Sequence, residues 1–418
     1  MDTTKARTAD IAAKHGLDIQ KIRNDFPMLN YTYKGKKLIY LDSAATNHKP
    51  QPLIDKMNKL YTSEYGKPQE EHELSKIMSK ELENVRSKMA KFLKADDPKQ
   101  IIFTSGCTEA INIVAHGFAK AVLQKDDEII ITELEHHANI IPWQVACEIS
   151  GAKIVVVPVN DDGLPDMQKF ENYVTDKTKI ISVSHTSHVL GAILPVEEII
   201  KLAHKHGIPV LLDAAQSAPH MPIDVNEIDC DFMTFSAHKM GGPAGVGVLY
   251  GKTKWLEKIP PLHVGSENAS KVTYHKTEYE PLPKKFEAGT LPFEEIVALG
   301  SLIDYVEELD MHRTSKYESD LLDYVTEQMS KISRVKLHGL ASEKEPVLSF
   351  DLDGADVKKL EKYLSDRNIS VRAGELSAQP LMKKLGVSGL LRISICYYNT
   401  IEELDAFVAA VKEFLKEH

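Results

Sequence analysis

Ile208-Pro-Val-Leu-Leu-Asp213-Ala-Ala-Gln216, followed shortly by Phe232-Met-Thr-Phe-Ser236-Ala-His238-Lys239, is the stretch from which the fold is read. The first apolar run is short, rich in branched residues and bounded by turn signals, the pattern of a buried parallel strand. Such a strand delivers Asp213 to the carboxyl end of a sheet, where α/β folds place their ligands. The second run delivers Ser236, His238 and Lys239 to the same edge. Taken singly, Asp213 reads equally well as a helix cap and Lys239 as a solvated loop lysine. Their joint placement carries the reading.

A carboxylate and a lysine so disposed suit pyridoxal 5′-phosphate (PLP). The lysine forms a Schiff base with it, and the acid keeps the pyridine nitrogen protonated so that the ring can accept electrons. Lys239 also opens a run of small residues, Met240-Gly-Gly-Pro-Ala-Gly-Val-Gly247, that lets backbone pass close to a cofactor.

From Ile39-Tyr-Leu-Asp42 to residue 285, strand-like runs alternate with helical patterns. Strands are predicted at 101–104, 128–132, 153–157, 180–184, 210–213, 232–235 and 245–251, with helices such as 108–120 and 139–149 between them. This alternation predicts an α/β fold with a mainly parallel, seven-stranded sheet covered by helices on both faces. It sets a large cofactor-binding domain at 30–285. After loop-like Pro281-Leu-Pro-Lys-Lys285 comes a helix-rich segment, 294–329, then strands at 347–352, 369–372 and 391–396 with helices at 355–367 and 401–416. These predict a smaller α+β domain, 286–418, completed by residues 1–29, which begin as one polar helix ending near residue 25.

A chain of 418 residues can bury a core for both units, and 43% hydrophobic with 27% charged residues is ordinary for a globular protein. The formal net charge of −10 argues against nucleic acid or an anionic membrane as partner. No apolar run approaches the roughly 18 residues that cross a bilayer. The opening Met1-Asp-Thr-Thr-Lys-Ala-Arg7 lacks the apolar centre of a signal peptide, so a cytoplasmic protein is expected. Cys107, Cys147, Cys230 and Cys396 are scattered, and no His or Cys spacing suggests a metal site.

Thr104-Ser-Gly-Cys107-Thr108-Glu109 joins a predicted strand to a helix start, where free N–H groups cradle a phosphate, although simple capping by Thr108 reads as well. Glu135-His136-His137-Ala-Asn139 follows another strand, and an imidazole there can stack on a planar ring and relay protons. His185 and His188 follow the strand at 180–184. Arg372 and Arg392 stand near strand ends of the smaller unit, where a guanidinium can hold a substrate carboxylate bidentately or simply form a surface ion pair.

With these residues assembled, the chain resembles the class V aminotransferase family of fold-type I PLP enzymes, and within it the group II cysteine desulfurases and selenocysteine lyases. The resemblance runs from Tyr40-Leu-Asp-Ser-Ala-Ala45 to Leu391-Arg392, most specifically through Glu135–Trp143, Asp213–Gln216, Phe235–Lys239 and Phe286-Glu-Ala-Gly-Thr290. It implies Lys239 as the Schiff-base lysine, Asp213 at the pyridine nitrogen, Gln216 at the phenolic oxygen and His136 stacked on the ring. It also implies Cys107, Thr108, Ser236 and His238 at the phosphate, and Arg392 at the carboxylate of a small amino-acid substrate. Thr290 would reach the phosphate of a neighbouring subunit, which implies a homodimer, and a sulfur-acceptor protein is a further implied partner.

The resemblance fails where the family keeps its nucleophilic cysteine. The stretch reads Arg372-Ala-Gly-Glu375-Leu376-Ser377-Ala-Gln-Pro-Leu-Met382, with serine at the cysteine position and Glu375 and Leu376 where histidines are usual. His188 replaces an Asn, and Gly66-Lys-Pro-Gln-Glu-Glu71 replaces an Arg-containing segment. An engineered Cys-to-Ser trap would change one residue, not four regions. A hydroxyl ionises far less readily than a thiol and carries no stable sulfane sulfur. The expectation is therefore a lyase that cleaves the C–S or C–Se bond of a cysteine-type amino acid by β-elimination. Ser377 then stands at the reacting group, and His188, Glu375 and Arg372 shape the substrate side. A desulfurase or selenocysteine lyase with another acceptor, an aminotransferase or epimerase, and a non-catalytic scaffold are the alternatives.

Overall fold

The structure, a computed structural model, describes residues 3–417. Its centre is a seven-stranded sheet of β1 (Ile101–Thr104), β2 (Glu128–Thr132), β3 (Lys153–Val157), β4 (Thr178–Ser184), β5 (Val210–Asp213), β6 (Phe232–Ser236) and β7 (Gly247–Gly251), in the order β1-β7-β6-β5-β4-β2-β3. All pairs are parallel except those of β7, which runs antiparallel to both β1 and β6. The α/β expectation holds, and its strands fall within two residues of the predicted bounds.

The alternation of the strands divides the core. Phe103, Ile130, Ile181, Leu212, Met233 and Val248 face one apolar cluster, and their neighbours Ile102, Ile129, Ile180, Leu211, Phe232 and Leu249 face another. A period of two forces this split, because successive strand side chains point to opposite faces. The second face is covered by helices Cys107–Ala121 and Ile141–Ser150. The first is covered by helices Gln51–Ser63, Glu73–Phe92, Val196–Lys205 and Phe293–Leu309. Helix Phe293–Leu309, expected with the smaller unit, thus buries most of its apolar face beneath the large sheet, because Phe293, Ile296, Leu299, Leu302 and Ile303 repeat at helical spacing toward Met78, Leu82 and Val85.

A four-stranded antiparallel sheet forms the smaller layer: β8 (Val335–His338), β9 (Val347–Leu352), β10 (Arg372–Gly374) and β11 (Leu390–Ser394), in the order β8-β9-β11-β10. It packs with helices Met311–Ser330 and Ile401–Glu417 and with Ala12, Ile22, Phe26 and Leu29 from the start of the chain. The single first helix expected there is two, Thr3–Lys14 and Ile19–Asn24, with Met1 and Asp2 outside the described residues. Gly16 at φ 69° ends the first, and the Asp18 carboxylate caps Gln20 and Lys21 N–H to start the second. The strand expected at 369–372 is also divided. Ile369–Ser370 pairs in parallel with Ile39–Tyr40, while Arg372 begins β10 on β11. Among the described residues no helix is long and apolar enough to cross a membrane.

Candidate active site

The register of the large sheet assembles the site. Ser184 lies beside Asp213, Asp213 beside Thr234, Ser236 beside Gly247 and Gly247 beside Thr104, so the carboxyl ends of β1, β4, β5 and β6 and the amino end of β7 share one edge. A cavity of about 320 Å³ opens there, closed from the smaller layer by Arg372, Leu376, Ser377 and Arg392. Of the residues expected at the site, Cys107, Thr108, His136, His188, Asp213, Gln216, Ser236, His238, Lys239, Arg372, Ser377 and Arg392 line this cavity. Glu375 does not: it is exposed and accepts a hydrogen bond from Gln379 Nε2 at 2.8 Å. Thr290 lies in a separate small cleft beside Lys67, Arg86 and Glu287. His185, although buried, is not in the cavity wall.

The Thr104–Cys107 turn approaches β7 so closely that a Cβ on Gly247 would stand 2.4 Å from Gly106 Cα. Only glycine lets the turn lie there. Cys107 N–H donates to Ser236 Oγ at 2.8 Å, joining the start of helix Cys107–Ala121 to the end of β6. Asp213 Oδ1 accepts from Ala215 N at 2.9 Å and from the Cys107 thiol at 3.3 Å. Burial and the Asp213 charge push that thiol well above its ordinary pKa, so it stays protonated and donates. Gln216 Nε2 donates to Ala44 O at 3.0 Å, which brings the Ala44–Ala45 turn into the wall.

Lys239 faces the cavity with no hydrogen-bond partner among the described residues, and burial lowers its pKa from the usual lysine range while Asp213 raises it. His136 is lowered to about 4, first by burial and then by the Lys239 charge. Its Nδ1 accepts from Ala138 N–H at 3.0 Å, so the neutral ring carries its proton on Nε2. His238 is likewise pushed to about 4 by burial, Lys239 and Lys49. Arg392 donates from Nη1 to His188 O at 2.8 Å and from Nη2 to Asp42 Oδ1 at 3.2 Å, while its buried Nε has no partner. Arg372 reaches the other oxygen of Asp42, from Nη2 at 3.0 Å.

Asp42, Ser184, Thr186 and Leu376 were not anticipated. Asp42 stood within the quoted Tyr40–Ala45 motif, but nothing local marks a carboxylate whose partners lie some 330 to 350 residues away. Thr186, whose buried Oγ1 is unpartnered, is a short side chain in a run of polar ones.

The donor set fits PLP: a lysine without a partner opposite a fixed carboxylate, and backbone N–H groups at a helix start beside a glycine that admits no Cβ. The sequence matches the aminotransferase class-V family over residues 39–407. The chain belongs to that family. It is a family of PLP-dependent enzymes. The chain is 40% identical over 405 residues, 97% of its length and 65% of the relative's, to a cysteine desulfurase of Synechococcus elongatus. It is 42% identical to a probable cysteine desulfurase of Mycolicibacterium paratuberculosis, covering 94% of this chain and 58% of that one. The chain thus spans less than two thirds of the length of these relatives. Among solved structures, a cysteine desulfurase of Escherichia coli superposes with a TM-score of 0.89 at 33% identity, over 96% of this chain and 99% of that one.

Proposed function

We propose that the chain is a PLP-dependent lyase that cleaves the C–S or C–Se bond of a cysteine-type amino acid by β-elimination, releasing pyruvate and ammonia with the Cβ substituent. The observation that carries this reading is the side chain facing the cavity from the small-layer loop: Ser377, a hydroxyl. The one cysteine in the cavity wall, Cys107, is a buried thiol engaged with Asp213 and Thr234. No side chain of the wall offers an ionised thiol to take up sulfur.

Lys239, Asp213, His136, Gln216, Cys107, Thr108, Ser236 and His238 would hold the cofactor. When bound, it supplies an electron sink that acidifies the substrate Cα–H and lets a Cβ substituent leave. The chain provides the rest. Arg392, with an N–H free at Nε and Arg372 beside it, binds and orients the substrate carboxylate. Lys239, lowered by burial, is suited to take the Cα proton as general base. Cys107 and Ala215 hold the Asp213 carboxylate in place. His136, neutral with its N–H on Nε2, can donate a hydrogen bond to a departing group.

The reading extends to a homodimer, in which Thr290, remote from its own chain's cavity, serves the neighbouring one. Light scattering after gel filtration tests the mass. A cytoplasmic location and a small amino-acid substrate complete the proposal. The test is the three-carbon product formed from L-cysteine by the PLP-loaded protein with a reductant present. Pyruvate is expected. Alanine would overturn β-elimination in favour of the second reading, which the relatives' names favour: desulfurase chemistry delivering sulfur to another acceptor, such as a sulfur-acceptor protein.

A further inference from the structure

We propose that His188 is a positioning residue for the Ser377 loop, its Nε2–H clasping the Leu376 carbonyl so that residues 375–379 stay folded over the cavity. The bond is 2.8 Å long and crosses from the large layer to the small one. His188 is only 6% exposed, and its ring meets His136 edge to face at 4.9 Å. Its own carbonyl accepts from Arg392 Nη1. Burial, with His136, Arg392 and Lys239 nearby, keeps the imidazole neutral, so its single N–H is committed to Leu376.

The loop needs support. Leu376 at φ 53° and Ser377 at φ 55° are consecutive non-glycine residues in the left-handed region, a conformation held only when its surroundings impose it. His137 N–H donates to Ser377 O at 3.0 Å and Gln379 N–H to His137 Nε2 at 3.4 Å. Leu376 and Ala378 pack against the large-layer core. Among the described residues, His188 adds the one side-chain donor that reaches the loop backbone from inside the cavity wall. Chain length decides the reach: an Asn amide nitrogen ends one bond nearer the backbone than His Nε2, and a Gln amide nitrogen ends at the same number of bonds. The clasp sets how Ser377 faces the cavity, and it rests on the proposed function only for the meaning of that position.

The test needs no turnover. In PLP-loaded S377C, alkylation by iodoacetamide is followed by peptide mass spectrometry, with the half-exposed Cys147 as internal reference. H188N and H188L in that background are expected to speed alkylation at position 377 roughly five- to tenfold, the factor equivalent to one neutral hydrogen bond. H188Q is expected to return the rate toward that of S377C. Equal rates in all variants would overturn the clasp. Acceleration by all three would overturn it too, since ring packing rather than the bond would then hold the loop. Labelling of buried Cys107, Cys230 or Cys396 identifies a misfolded variant, in which case the H188N and H188Q pair decides. Alanine in the product assay would sink the elimination reading and leave the clasp standing; unchanged alkylation would do the reverse.

Discussion

Burial in the cavity wall draws the Lys239 ammonium below the usual lysine range, while the Asp213 carboxylate draws it back. A lysine so balanced exchanges a proton near neutral pH more readily than a solvated one. Lys239→Ala is expected to lower turnover by a factor on the order of 10³ or more while leaving the melting temperature of the apoprotein nearly unchanged. Steady-state kinetics and thermal melting check the two halves. Lys239, Asp213 and His136 were legible in the sequence because each follows directly on a strand that reads clearly, and a strand end fixes where the next side chains fall. Asp42 and Thr186 were not, since a carboxylate between two distant arginines and an unpartnered hydroxyl leave no local pattern. Glu375 was read as a pocket residue because its neighbours are. The turn at Leu376 and Ser377 rotates it outward instead, where it accepts from Gln379.

Helix Glu73–Phe92, strand β1 and the segment before helix Phe293–Leu309 meet at one buried ion pair. Arg86 donates to Glu287 through Nη1 at 2.7 Å and Nη2 at 2.9 Å, and also to Ile101 O. Glu287 in turn accepts from Phe103 N–H. Both side chains are almost wholly buried, and the further partner of Arg86, Glu83 at 3.1 Å, is exposed, so removing Glu287 leaves much of the guanidinium charge uncompensated in the core. Glu287→Ala is expected to cost about 3–5 kcal/mol, read by urea denaturation, and the double substitution R86M with E287L, which leaves no charge behind, to cost less. Strands of the large sheet were legible because they are short and apolar, and all but the edge strand β3 are buried on both faces. The hairpin of Ala269–Val272 and Thr277–Tyr279 was missed because it is almost wholly exposed, which leaves its alternation no apolar side to mark. Strand β8 was missed for a related reason, its four residues alternating Val and Leu with Lys and His too briefly to stand out.

The two layers meet at a buried acidic cluster. His220, from the segment after β5, bonds Glu318 of helix Met311–Ser330 at 2.9 Å, and Glu345 lies close enough to both to feel their charges. Glu345 is raised to about 8, chiefly by burial, with the His220 charge opposing and the Glu318 charge adding to the rise. Burial works to lower His220, but the charge and hydrogen bond of Glu318, together with the Glu345 charge, outweigh it and raise the imidazole as well. Both groups bind protons more tightly folded than unfolded. Their stabilisation is therefore complete at acid pH and is lost as pH climbs through their folded values. Stability is expected to fall from about pH 4.5 to 8 as Glu345 titrates, by on the order of 1 kcal/mol per pH unit, with the His220 loss added above the ordinary imidazole range, and Glu345→Gln to flatten the slope. Melting curves across that range check both. Most strands of the two sheets were legible as separate runs on either side of the loop-like stretch at 281–285. The way they interlock was not, because it depends on helices and loops whose apolar faces look alike whichever sheet they cover. Ala378, Leu381, Met382 and Leu390, all carried by the smaller layer, are buried in the core of the larger one, while helix Phe293–Leu309 lends Tyr305 to the smaller. Neither half can then melt without stripping the other of part of its interior, so scanning calorimetry is expected to record one cooperative endotherm where a two-layer chain would ordinarily give two.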